Sequence, residues 1–239
     1  TVPVLVLLYD RVFESPSFTQ ALRRRWGLYL GLAATWLLLA TLNAGAPRSA
    51  SVGFGNGLGA FDYAKTQCLA ITSYLRLTLW PHPLMLDYGF PQTLSIPEIL
   101  PQGCLIVGLL TAVIAALVYR PMVGFLGAWF FIVLAPTSSF VPIVTEVAAE
   151  RRMYLPLAAV VAATVFALHR LLDALTRRLP LRRRVIWGAS FVGVLVAVAS
   201  LGWTTDRRNR MYHDAVGIWQ QTVNADQNNA RARYGLGTA

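Results

Sequence analysis

Cysteine, lysine, histidine and acidic residues are all scarce in this chain of 239 residues. The two cysteines, Cys68 and Cys104, cannot build a disulfide framework, and neither stands at metal-ligand spacing from other ligands. That excludes disulfide-stapled scaffolds and cysteine-based metal modules. No His/Cys/carboxylate cluster has metal-site spacing either, and no Ser/His/Asp set stands out. Lys65 is the only lysine, against twenty arginines. This arginine-for-lysine, Ala/Leu/Val-rich style points to a GC-rich bacterial genome. Charged residues make up only 13% of the chain, about half the share of a soluble domain. A disordered chain, a nucleic-acid-binding arm and most soluble folds are thereby excluded.

What remains is apolar. Hydrophobic residues are 56% of the chain, and its mean hydropathy is +0.52. The net charge of +10 does not signal a nucleic-acid partner, because the arginines sit in short clusters between apolar runs. The composition predicts an all-α, polytopic transmembrane helical bundle.

A helix needs roughly 20 apolar residues to cross about 30 Å of hydrocarbon. Five segments approach that length: Trp26–Leu42, Cys104–Tyr119, Met122–Ala135, Met153–Leu168 and Val185–Trp203. Val2–Tyr9 reads as the tail of another, so about five full spans plus one partial are expected. The chain opens without Met inside an apolar run and ends at Ala239 without a terminating element, so it is expected to be a fragment. Cytoplasmic loops carry the excess of Lys and Arg. Arg11, Arg23–Arg25, Arg120, Arg170, Arg177, Arg178 and Arg182–Arg184 fall in three loops that this rule places inside. Parity then keeps Thr66–Trp80 from crossing alone, and Arg76 snorkels towards headgroups. Three longer elements, Asn43–Lys65, Pro81–Gly103 and Pro136–Arg152, fall outside. After Trp203 the composition turns polar, which divides the chain into a membrane domain, 1–203, and an extracytoplasmic tail, 204–239. The expected location is a bacterial inner membrane, multi-pass (the endoplasmic reticulum membrane in a eukaryote).

The most informative stretch is Pro136–Pro156, with Glu146, Glu150, Arg151, Arg152 and Tyr154 within nine positions. Ionisable groups against a bilayer are costly and mark function by default. Arginine offers a planar fork of donors for phosphate oxygens, and a lipid phosphate is the obvious acidic partner. The plain alternative is a solvated helix end at the membrane boundary. A secondary candidate is the proline-shaped loop Trp80–Tyr88, with His82 and Asp87 as its titratable groups. It reads as a lipid- or acceptor-facing loop, or as a turn anchored by its Trp and Tyr. The glycine run at 53–59 lacks a Gly-Lys-Ser/Thr ending and reads as a bent loop.

Three pieces together resemble one family. Pro3-Val-Leu-Val-Leu-Leu-Tyr-Asp10 resembles a "PLxLLxYD" span end. Ser138-Ser-Phe-Val-Pro142 and Ala149-Glu-Arg-Arg-Met-Tyr-Leu-Pro156 resemble its "SSxxxP…AERxxYxP" loop. Trp219 and Asn228–Gly237 resemble the approach to a tetratricopeptide array. The combination is similar to the membrane part of the TMTC-type, tetratricopeptide-containing protein O-mannosyltransferases and their bacterial relatives. The resemblance implies a GT-C fold and a sugar, such as mannose, moved from a polyprenyl-phosphate donor to a protein hydroxyl outside the cytoplasm, with inversion. It implies no metal cofactor. The family's acidic catalytic residue would lie before residue 1, so no catalytic residue is assigned. Glu150, Arg151, Arg152 and Tyr154 would bind the lipid phosphate, with Glu150 orienting an arginine.

Partners on this reading are membrane lipid, the lipid-linked sugar and an acceptor protein or peptide, without nucleic acid. A non-enzymatic membrane anchor for a tetratricopeptide interaction domain is the competing expectation. A transporter fits less well, since the charges cluster at span ends and no inverted repeat is evident.

Overall fold

The computed structural model describes residues 1–45, 59–89, 94–136, 148–178 and 183–239. Glu146, the Ser138–Pro142 piece and the glycine run up to Leu58 lie outside the described residues. All regular structure among the described residues is helical. The helices are α1 (Val2–Tyr9), α2 (Phe18–Arg24), α3 (Trp26–Gly45), α4 (Ala60–Leu79), α5 (Ile96–Tyr119), α6 (Pro121–Leu134), α7 (Tyr154–Arg178), α8 (Arg183–Met211), α9 (Ala215–Ala225) and α10 (Ala230–Thr238). A π-helical turn covers Asp10–Glu14, and a 3₁₀ turn covers Glu150–Met153.

Helix ends follow local chemistry. Ser95 opens α5 in a capping box with Glu98, whose Oε2 accepts from the Ser95 N–H at 2.8 Å. Pro121 opens α6 at a position where its missing N–H costs nothing. Ser17 caps α2 through the Gln20 N–H.

Among the described residues, three helical stretches are long and apolar enough to cross a membrane: Ile96–Tyr119, Glu150–Arg177 and Arg184–Met211. The pair α2 and α3, bent by 90°, makes a fourth if it counts as one span. Large apolar side chains on α5 and α8 face outwards, among them Val107, Ile114, Val192 and Val198, a surface suited to lipid. No fifth helix of that length is visible among the described residues: Met122–Ala135, expected as a full span, falls in the shorter apolar helix α6. Helix α6 has 14 residues, about 21 Å at 1.5 Å per residue. In the tail, α9 and α10 make one helical pair, and no tetratricopeptide repeat is visible among the described residues.

The chain divides into two compact units, residues 1–82 with 90–160, and residues 83–89 with 161–239. In the first, Tyr9 and Phe13 pack against Phe125 of α6, the latter pair edge-to-face at 5.3 Å. Beside them lies Asp10, 1% exposed. Its carboxylate accepts from Arg25 Nη1 at 2.7 Å and from the Tyr29 hydroxyl at 2.6 Å. The π-helical turn and α3 are thus joined through one buried acid. Arg25 keeps 40% of its side chain exposed, so water replaces part of what the pair loses when broken. Asp10→Asn is therefore expected to cost about 1–2 kcal/mol, seen as a lower melting temperature in detergent. An unchanged melting temperature would remove this cluster from the account.

In the second unit, α9 and α10 pack so closely that a Cβ on Gly235 would lie 2.5 Å from the Trp219 ring. Asp214 and Asn229 cap the two helices by accepting from the Gly217 and Ala232 N–H groups.

Candidate functional site

Helix α4 buries one face. Tyr63, Thr66, Gln67, Ala70 and Tyr74 are all buried, and their spacing of three and four is that of one helical stripe. Four of the five carry polar groups, so the stripe needs hydrogen-bond partners inside the unit. Tyr74 meets the 148–153 segment. Its hydroxyl oxygen accepts from the Ala149 N–H at 2.8 Å and lies beside the Arg152 guanidinium. Burial raises the pKa of this hydroxyl, while the Ala149 N–H and the Arg152 guanidinium pull it back. The group stays a neutral phenol near pH 7.

The arginine turn is built around that contact. The Arg152 N–H donates to the Ala149 carbonyl at 3.0 Å and closes the 3₁₀ turn. Met153 and Pro156 point inwards. Pro156 has no N–H for the Arg152 carbonyl, which favours a tight turn before α7. Trp129 of α6 donates its indole N–H to the Leu155 carbonyl at 3.0 Å. Four anchors therefore fix a nine-residue stretch.

The structure separates the side chains that the sequence placed together. Arg152 is half-buried against Tyr74, whereas Arg151 is exposed. Glu150 is half-buried. Tyr154 is 82% exposed, the position of an aromatic belt residue. The secondary candidates fall in different units. His82 is exposed at a turn in which its N–H donates to the Trp80 carbonyl at 2.8 Å. Asp87 is ion-paired with Arg231 at 2.6 Å. Among the described residues, no three His, Cys, Asp or Glu side chains are grouped to hold a metal ion.

A groove of about 450 Å³ lies between α4, α5 and α6. Ile71, Ile106, Leu110, Phe131, Ile132 and Leu134 make it apolar, and Gln67 is its polar wall. Ile71 and Tyr74 are three residues apart, a rise of about 4.5 Å along α4. One helix thus carries both a wall of the groove and the brace of the arginine turn. Residue-level reading missed Tyr74 and the Asp10–Arg25–Tyr29 cluster. The signal for Tyr74 was the buried-stripe spacing of α4, hidden because the stripe is polar. No family model, curated protein or solved structure matches the chain.

Proposed function

We propose that this chain is the membrane part of a GT-C-like glycosyltransferase. It takes a sugar from a polyprenyl-phosphate donor and passes it to a protein hydroxyl outside the cytoplasm. The observation that carries the reading is the turn Ala149–Met153, braced at the Ala149 N–H by Tyr74 of the helix that also walls an apolar groove, with the Arg152 guanidinium beside that hydroxyl. An isoprenoid chain needs an apolar channel, and its phosphate needs oriented donors. In transfer, negative charge grows on the departing phosphate. Arg152, beside the Tyr74 hydroxyl, stabilises that charge. Exposed Arg151 attracts the anionic headgroup from solvent.

Topology supports five crossings. The loop 83–89 is hydrogen-bonded to the pair α9–α10, so they share a face of the bilayer. Between them run α5, α6, α7 and α8, of which an even number must cross. Three are long enough, and parity asks α6 to be the fourth. A short crossing is accommodated by local bilayer thinning. With α2–α3 as one bent span, the count is five. The α9–α10 pair then stands as the start of a tetratricopeptide array on the outer face.

The testing experiment is a donor assay on the full-length protein, offering polyprenyl-phosphate sugars and following transfer to a peptide. Transfer that depends on Arg152 is the expected result. Loading of the lipid without transfer would favour the second reading, a membrane anchor for an interaction domain. The polar seat that the α9–α10 pair offers to a loop favours that alternative.

A further inference from the structure

We infer that the α9–α10 pair is a clamp for a short, bent peptide segment carrying an acid, occupied here by the chain's own loop 83–89. The inference stands apart from the transferase reading. Three side chains form the seat. The Thr222 hydroxyl is fully buried, donates to the Ile218 carbonyl at 2.9 Å and accepts from the Leu86 N–H at 3.2 Å. Buried Asn229 uses both ends of its amide: its oxygen caps α10 through the Ala232 N–H, and its nitrogen donates to the Asp87 carbonyl, each at 3.0 Å. Arg231 reaches the Asp87 carboxylate at 2.6 Å.

Two of these contacts hold main-chain groups of consecutive residues, so they accept any sequence. The third selects a carboxylate in one register. The acid's other oxygen accepts from the Gly89 N–H at 2.6 Å, and Gly89 adopts a φ of +79° that favours glycine. This is recognition of a bent, non-helical segment by its backbone plus one charged side chain.

The occupant is suited to exchange. None of the side chains from Pro83 to Gly89 is fully buried, and Leu86 is exposed. Beside its polar contacts the loop therefore has no deeply buried apolar anchor. Burial of apolar surface is what makes a contact hard to undo. A partner segment with an apolar residue followed by Asp offers the same groups. The resident loop competes with it at the effective concentration set by its tether. The loop is thus an internal competitor that an incoming acidic segment displaces.

The test uses the whole chain in lipid nanodiscs and a fluorescent heptapeptide, Pro-Leu-Met-Leu-Asp-Tyr-Gly, blocked at both ends so that its Asp supplies the only carboxylate. Asp87→Asn loosens the resident loop and is expected to tighten peptide binding about tenfold over the wild-type chain. Adding Arg231→Ala should abolish that gain, and a peptide with Asn for Asp should bind neither protein. Hydrogen exchange of the α9 and α10 amides follows the pair's folding. Equal peptide affinity in wild-type and Asp87→Asn chains overturns the inference. So does loss of α9–α10 protection in Asp87→Asn, because the loop is then an integral brace. As a second arm, Asp87→Arg with Arg231→Asp should switch preference to a peptide carrying Arg in place of Asp. Continued preference for the acidic peptide overturns it as well.

Discussion

Arg152→Ala in the full-length protein is expected to lower sugar transfer by about 100- to 1,000-fold, with membrane insertion unchanged. The magnitude follows from its place. On the proposed function Arg152 is a donor to the charge that grows in the transition state, which acts mainly on the chemical step, and the Tyr74 hydroxyl lies beside it. Exposed Arg151 is a different case. Its loss removes attraction in high dielectric, so Arg151→Ala should raise the KM for the lipid donor by about tenfold or less and leave kcat near its starting value. Tyr74→Phe tests the mechanism itself. The ring still fills its buried site, but the Ala149 N–H loses its partner and Arg152 the hydroxyl beside it, so kcat should fall while donor KM holds. If Arg152→Ala and Arg151→Ala give the same pattern, the division of roles between them is wrong.

Gly124→Val is expected to disrupt the α5–α6 hairpin, at a cost of about 3 kcal/mol or more. A Cβ at Gly124 would overlap the Leu117 backbone, and one at Gly127 would lie 2.5 Å from Val113 Cγ2. Small residues let helix backbones approach in a membrane. Here two glycines, one turn apart, face α5 together. Overpacking usually costs about 1–3 kcal/mol, and a clash with backbone cannot be relieved by a rotamer change. Gly108→Ala on α5 is the control, because nothing lies within 4 Å of a Cβ there. It should be neutral or slightly stabilising. A detergent-denaturation midpoint that falls for Gly124→Val and holds for Gly108→Ala is the expected result. Equal midpoints would mean that α5 and α6 are not in backbone contact.

The sequence makes α5, α7 and α8 legible because each is a long apolar run between charged or proline-bearing ends. It makes α6 legible as apolar, but Pro121 and Pro136 confine it, so a crossing read from hydropathy becomes a helix of 14 residues. Hydropathy marks α4 only from Thr66, as an apolar stretch interrupted by Arg76. It begins earlier, at Ala60 behind Gly59, and its buried face is polar, which a hydropathy profile cannot register. The arginine turn was legible from its charge density. Its brace was not, since Tyr74 and Ala149 stand 75 positions apart. The partner of Asp87 lies 144 positions away. No local pattern foretells a pair at such distance, and the same loop that looked lipid-facing proves to be seated on α9 and α10.

The central claim is that the arginine turn and the α9–α10 pair share the outer face of the membrane while Arg120 lies inside. Single cysteines in a Cys68→Ala, Cys104→Ala chain test it directly, at Arg151→Cys, Asn228→Cys and Arg120→Cys, with a membrane-impermeant maleimide on intact cells. The account predicts labelling at positions 151 and 228 from outside, and at 120 only after permeabilisation. Labelling at 120 from outside, or opposite accessibility of 151 and 228, would contradict it.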